Sequence, residues 1–171
     1  MKNDRTRIKR LTFLGLLATV ALLLSYVEFL LPPLFVAVPG IKLGLPNIII
    51  IFLLYRLGMR SAVTVSMIRL LISSILFGSA MTFAYSLAGA VLSLLVMGIL
   101  RKTDLFSMPV VSIAGGVSHN LGQILVAMLL LNTPQIVYYM LVLAITGTIS
   151  GCFIGLCGSL MVKRIPIDRF Y

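Results

Sequence analysis

Long apolar runs alternate along the chain with short groups of polar, glycine and proline residues. A helix needs about 20 predominantly apolar residues to cross a hydrocarbon core about 30 Å thick. Runs of this kind recur from end to end, so the pattern predicts an all-α integral membrane protein made of one domain, residues 1–171. The expected spans of this single bundle lie near residues 11–31, 41–58, 61–77, 80–100, 109–131 and 136–162.

The second run is the shortest, because the mainly apolar stretch between turn-forming residues covers only residues 46–58. As a helix they would cover about 20 Å. Two alternatives follow: the helix begins earlier, near Ile41, or it is a half-helix entered through the sequence PGIKLGLPN. The glycines and prolines of that sequence predict irregular backbone, which is tolerated at membrane depth where it lines a cavity.

The first run follows the basic stretch MKNDRTRIKR, as the apolar part of a signal peptide would. It contains Glu28, however, and no small-residue cleavage pattern precedes the sequence LPPLF. We therefore expect a retained first helix. The composition agrees with a membrane protein, because 60% of the residues are hydrophobic, against about 45–50% in soluble domains.

A net charge of +10 would suggest nucleic acid as the partner of a soluble protein. Here the basic residues cluster at the ends of apolar runs, so we expect a lipid bilayer and no nucleic acid. With six spans and a cytosolic N-terminus, twelve of the fourteen Lys and Arg residues fall on the cytosolic side, as the positive-inside rule requires. Both termini are then cytosolic. The twelve are Lys2, Arg5, Arg7, Lys9, Arg10, Arg56, Arg60, Arg101, Lys102, Lys163, Arg164 and Arg169.

Polar side chains inside the apolar runs are the candidate site. An arginine at mid-helix costs about 2.5–3.5 kcal/mol on insertion scales, so such groups are expected to face a cavity or a partner. Arg69 and His119 share a level near the midplane, and His119 stands beside Asn120 and Gln123 in the sequence GGVSHNLGQ. We expect these four residues at the floor of a cavity that opens outward.

Glu28 is expected near the mouth of this cavity, with Lys42 and Asn47 reaching it from the first outer loop. In this interpretation Arg69 holds an anionic or polar group of a substrate, while His119 and Gln123 orient it by hydrogen bonds. The alternative is structural: Arg69 bonds to backbone carbonyls, and His119 and Gln123 bridge helices.

Two stripes of small residues indicate helix packing, because small residues let membrane helices approach closely. The last run places Gly147, Gly151 and Gly155 on one face. The first run carries Gly15, Ala18, Ala21 and Ser25 along one side, which is the best candidate for contact with the helix of a partner protein.

Catalysis has few residues to use. The acidic residues are Asp4, Glu28, Asp104 and Asp168, which form no cluster for magnesium, and one His with two Cys makes no convincing zinc site. A Walker motif is also missing. We expect no enzyme activity, no catalytic residue, no metal and no cofactor, which favours a transporter or its substrate-capturing subunit.

The sequences PGIKLGLPNIIIIFLLYRLG, SLAGAVLSLLVM and GGVSHNLGQ resemble the family called Gx transporters, also labelled heptaprenyl diphosphate synthase component I. That family is similar to the substrate-binding S components of energy-coupling factor (ECF) transporters. The resemblance implies about six helices, an outer binding cavity, and uptake through a shared transmembrane subunit with two cytosolic ATPases. It also implies a small-molecule ligand related to redox chemistry and a multi-pass protein of the Gram-positive plasma membrane.

Typical S components carry two alanines four residues apart on the first helix, whereas Ala18 and Ala21 are three apart here.

The alternative function is a non-catalytic accessory membrane subunit of prenyl diphosphate or quinone synthesis, or of a flavin-based redox complex.

Overall fold

The computed structural model describes residues 2–31, 43–132 and 134–166, and its regular elements over these ranges are helices. They are α1 (Lys2–Leu30), α2 (Asn47–Leu57), α3 (Met59–Phe77), α4 (Ala80–Lys102), α5 (Met108–Leu131) and α6 (Met140–Arg164), with a 3₁₀ helix (Pro134–Tyr139) before α6. All but α2 are long and apolar enough to cross a membrane, counting the 3₁₀ helix with α6. The predicted all-α membrane bundle of about six helices is confirmed.

The helices extend beyond the apolar runs that predicted them. α1 begins at Lys2 instead of residue 11, and α4 continues to Lys102. Lysine and arginine are good helix formers, so a basic flank lengthens a helix without lengthening its membrane-spanning part. The sixth predicted span is divided, because a 3₁₀ helix occupies its first turns.

The second helix is a half-helix over the described residues. Residues 43–46 are not helical, and Gly44 has a φ of +74°, a conformation that favours glycine. α2 begins at Asn47 and covers only about 17 Å. Residues 41 and 42, where the predicted span began, lie outside the described ranges.

α2 lies at the centre of the bundle. Six consecutive residues, Ile49 to Leu54, are each at most 2% exposed. A helix that is apolar on every side is stable only when other helices surround it. α2 packs against α1, α3 and α6, and this core holds together the half of the bundle that surrounds α2.

Basic side chains tie the helix ends together at one end of the bundle. Arg10 donates to the Ser61 hydroxyl over 3.4 Å, and Arg56 donates to the carbonyl of Ile165 over 2.9 Å. Arg101 donates to the carbonyl of Tyr55 over 3.0 Å. These bonds bring the starts of α1 and α3 together with the ends of α2, α4 and α6. We call this the basic end; its placement in the cytosol remains a prediction.

The glycine stripe of the last predicted span packs α6 onto α5, as expected. A Cβ atom added at Gly151 would lie 2.7 Å from Cα of Ile113, and one at Gly155 would lie 2.5 Å from Cα of Pro109. Gly147 faces Gly116 in the same way. The two backbones therefore approach so closely that no side chain fits between them.

The small residues of α1 do not form one outward face. Ala21 is fully buried in the core, and Ser25 is only 8% exposed, whereas Gly15 is exposed and Ala18 is partly buried. The prediction that all four contact a partner helix is therefore corrected for Ala21 and Ser25, which pack inside the bundle. Gly15 and Ala18 keep an accessible surface.

We predict that Gly151→Ala destabilises the bundle, because its methyl group would meet the backbone of α5 and force α5 and α6 apart. Overpacking of this kind costs about 1–3 kcal/mol. The measurement is the midpoint of thermal unfolding in detergent. Gly15→Ala is the matched control, since nothing lies within 4 Å of a Cβ atom at Gly15. Equal midpoints for the two variants would contradict the close α5–α6 packing.

Candidate functional site

A cavity of about 380 Å³ lies between the helices in the half of the molecule away from the basic end. Its wall comes from the end of α1, the start of α2, the second half of α3, the start of α4, and the middle of α5 and α6. Six of the seven predicted binding residues line it: Glu28, Asn47, Arg69, His119, Asn120 and Gln123. Lys42, the seventh, lies outside the described residues.

Arg69 supplies positive charge inside this cavity. It lies in α3, about 12 Å along the helix axis from the end at Phe77. Its Nε atom is buried and has no hydrogen-bond partner in the described part of the chain. The carboxylate of Glu28 lines the same cavity and attracts the guanidinium. The structural alternative, in which backbone carbonyls satisfy Arg69, thus leaves Nε unexplained.

Glu28 joins α1 to the irregular segment that precedes α2. Its carboxylate accepts a hydrogen bond from the backbone N–H of Gly44. Because Gly44 and Asn47 both line the cavity, this bond fixes one side of the wall. The irregular backbone predicted for the sequence PGIKLGLPN therefore lines a cavity where the structure describes it.

His119 rests against α4 where that helix has no side chain. A Cβ atom added at Gly89 would lie 2.9 Å from both Cε1 and Nε2 of the imidazole. The ring is therefore held between the cavity and the backbone of α4. Gly89 belongs to a stretch of small residues in α4, SLAGAVLS, that closely approaches α5.

Asn120 combines a structural bond with its place in the cavity wall. Its Nδ2 atom donates to the carbonyl of Leu143 in α6 over 2.6 Å. The hydroxyl of Thr146 donates to the same carbonyl over 3.1 Å. Asn120 therefore bridges α5 and α6. Gln123 lines the cavity on the same helix, and its amide has no hydrogen bond to the other described residues.

Several cavity residues were not predicted from the sequence. The polar ones are Ser73, Ser74, Thr82, Ser86 and Ser150, and the aromatic ones are Phe29 and Phe77. The spacing of four between Arg69 and Ser73, and between Thr82 and Ser86, was a usable signal, because residues four apart share a helix face. Phe29 and Phe77 had no such signal in a chain rich in apolar residues.

The two phenylalanines form a contact between the ends of α1 and α3 that lie away from the basic end. Their ring centroids are 5.0 Å apart, and Tyr26 lies 5.9 Å from Phe77. Both phenylalanines line the cavity. The wall is therefore polar and charged around Arg69 and aromatic where α1 and α3 end, away from the basic end.

No three His, Cys, Asp or Glu side chains come together in the part of the chain that the structure describes. A family model described as heptaprenyl diphosphate synthase component I matches residues 17–161 of the chain. Comparison with curated proteins and with solved structures gives no match. The matched range contains every described residue that was predicted to bind substrate.

We predict different effects for the two amides of α5. Asn120→Ala removes the bond to Leu143, which is worth about 0.5–1.5 kcal/mol, and lowers the thermal midpoint in detergent. Gln123→Ala, the matched control, leaves the midpoint nearly unchanged because its amide faces the cavity. A larger loss of stability for the Gln123 variant would contradict this division of roles.

Proposed function

This chain belongs to the heptaprenyl diphosphate synthase component I family, and from that premise we propose that it is a membrane subunit that captures a small molecule for uptake. The observation that carries the proposal is the cavity around Arg69, to which all six helices contribute. In this proposal the chain itself is not catalytic. Partner subunits supply ATP hydrolysis, as in the ECF systems that the family is similar to.

The energetic cost of the polar groups supports a binding role. Charged side chains at membrane depth are expensive and typically face a substrate path or a water-filled cavity. Arg69, Gln123 and Ser150 all line the cavity, although each belongs to a mainly apolar helix. A ligand in the cavity would give the amide of Gln123 a partner, whereas the hydroxyl of Ser150 already donates to the carbonyl of Gly147.

The shape of the cavity supports capture from the outer side. The buried segment of α2 and the hydrogen-bonded basic end lie beneath it. The positive-inside rule places the basic end in the cytosol, so the cavity opens away from the cytosol. The proposed location is the plasma membrane of a Gram-positive bacterium.

The size of the cavity argues against storage of a long prenyl product. A cavity of about 150 Å³ holds one benzene molecule, so 380 Å³ has room for roughly 15 non-hydrogen atoms. A heptaprenyl chain of seven five-carbon units is more than twice that size. A role in prenyl synthesis would therefore not use this cavity to enclose the finished chain.

The family description favours a second candidate function. It refers to a component of a synthase, and a component acts together with other subunits. In this alternative the chain is an accessory membrane subunit of prenyl diphosphate or quinone synthesis, or of a flavin-based redox complex. The surface of the helix bundle, not its cavity, would then contact the other subunits.

We predict that the protein purified from its native membrane retains a small molecule, and that Arg69→Gln and His119→Ala both lose it. Arg69 and His119 meet the same cavity, so either change removes hydrogen bonds to the ligand. The measurement is mass spectrometry of molecules released from the folded, monodisperse protein. Arg60→Gln is the matched control, because Arg60 is an exposed residue nine positions earlier in α3. Equal retention by all variants would refute the binding site.

We predict that the protein copurifies with a transmembrane subunit and ATPases when it is extracted mildly from its native membrane. Gly15→Leu should weaken this association, because Gly15 is an exposed small residue of α1 with open space around it. The measurement is quantitative proteomics of the affinity-purified complex. Copurification with a prenyl synthase or a flavoprotein, and no ATPase, would favour the accessory role instead.

A further inference from the structure

We propose that the cavity accepts a small amphipathic acid, with a carboxylate bound by Arg69 and a compact apolar body against Phe29 and Phe77. This inference rests on the proposed binding function and deepens it by naming the class of ligand. It excludes two other classes of similar size, neutral amides and organic cations.

The acid group follows from the hydrogen-bonding needs of Arg69. A guanidinium group presents five N–H donors in a planar fork, which matches the two oxygens of a carboxylate. Its Nε atom is buried without a partner in the described part of the chain, although buried donors are nearly always bonded. A carboxylate in the cavity would accept from the guanidinium where Arg69 lines the wall, whereas Nε itself is too buried for direct contact. Such charge-assisted pairs are stronger than bonds to neutral acceptors.

The direction of α2 adds to this preference. Its N-terminus lies at the cavity, and the N-terminal end of a helix carries partial positive charge. The first N–H groups of α2 are already bonded, because Asn47 N–H donates to the carbonyl of Gly44 over 2.8 Å and Ile48 N–H to that of Leu45 over 3.2 Å. The helix therefore contributes an electric field, not free donors. This field favours an anion at the same depth as Asn47.

Glu28 would favour a cationic ligand, because it adds a negative charge to the wall of the same cavity. Its carboxylate accepts the bond from Gly44 N–H, near the end of α1. An organic cation would be drawn to Glu28 and repelled by Arg69. Because the two charges compete, comparison of an acid with an amine of the same shape is the decisive test.

The apolar body follows from the rest of the wall. Phe29 and Phe77 lie against each other with ring centroids 5.0 Å apart, and Leu70 and Ile154 add aliphatic surface. Phe77 lies eight positions after Arg69, or about 12 Å along α3. A ligand that reaches both ends of this wall needs a polar head and a body of one or two rings. Such a molecule fits the volume of 380 Å³.

The experiment compares three probes that share one body: 2-naphthoate, 2-naphthamide and 2-naphthylmethylamine. The chain contains no Trp, so naphthyl fluorescence can be followed during titration of the purified protein in detergent. We expect 2-naphthoate to bind about tenfold or more tightly than either of the other probes, because only the acid forms a charge-assisted pair with Arg69.

Two pairs of variants locate the bound acid. Arg69→Gln should remove the preference for the acid, whereas Arg60→Gln, the exposed control in α3, should retain it. Phe77→Leu should weaken the binding of all three probes to the same extent, because it removes an aromatic surface and leaves the charges unchanged. Phe106→Leu is its control, since Phe106 lies near the basic end and does not line the cavity.

Each other outcome overturns the inference. Equal or tighter binding of the amide or the amine shows a site of another ligand class. Equal signals from the unaltered protein and Arg69→Gln show partition of the probe into detergent, and no binding of any probe excludes an aromatic acid of this size. None of these results decides the proposed function, because retention of a native molecule by the unaltered protein is measured separately.

Discussion

The close approach of α5 to α4 and α6 is the constraint on which the rest of the structure depends. Backbone meets backbone where Gly151 faces Ile113, and where Gly122 faces the carbonyl of Ala88. Lipid gives membrane helices little hydrophobic reason to associate, so dispersion contacts between small residues must hold them together. Because α5 is held on two sides, its polar residues keep fixed positions. The cavity has a rigid wall for this reason.

The half-helix α2 closes the cavity on the side that faces the basic end. A helix of full membrane length at the position of α2 would occupy the space of the cavity. α2 instead begins at Asn47, midway through the bundle, and its buried residues from Ile49 to Leu54 close the space beneath. Non-helical backbone at membrane depth needs partners for its polar groups. Glu28 provides one of these partners by accepting from Gly44 N–H.

The sequence predicted the helices and the polar residues of the cavity because both carry strong signals. A run of apolar residues has few stable structures in a membrane, and a charged residue such as Arg69 is costly unless a cavity receives it. Serines and phenylalanines gave weaker signals. Ser74, for example, bonds to the carbonyl of Leu70 in its own helix, so it is cheap to place anywhere on α3. The burial of one side of α1 in the bundle could not be predicted from the sequence, because a small residue such as Ala21 suits an inner and an outer face equally.

The contact between Gly89 and His119 makes residue 89 a determinant of pocket depth, although it stands behind the wall. The imidazole can lie back against α4 only because position 89 carries no side chain, and a methyl group there would come within 2.9 Å of the ring. A Cβ atom at residue 89 would also lie 2.8 Å from the backbone carbonyl oxygen of His119, so a larger residue would displace α5 as well as the ring. A change at this one position would therefore alter the shape of the cavity, even with every lining residue the same.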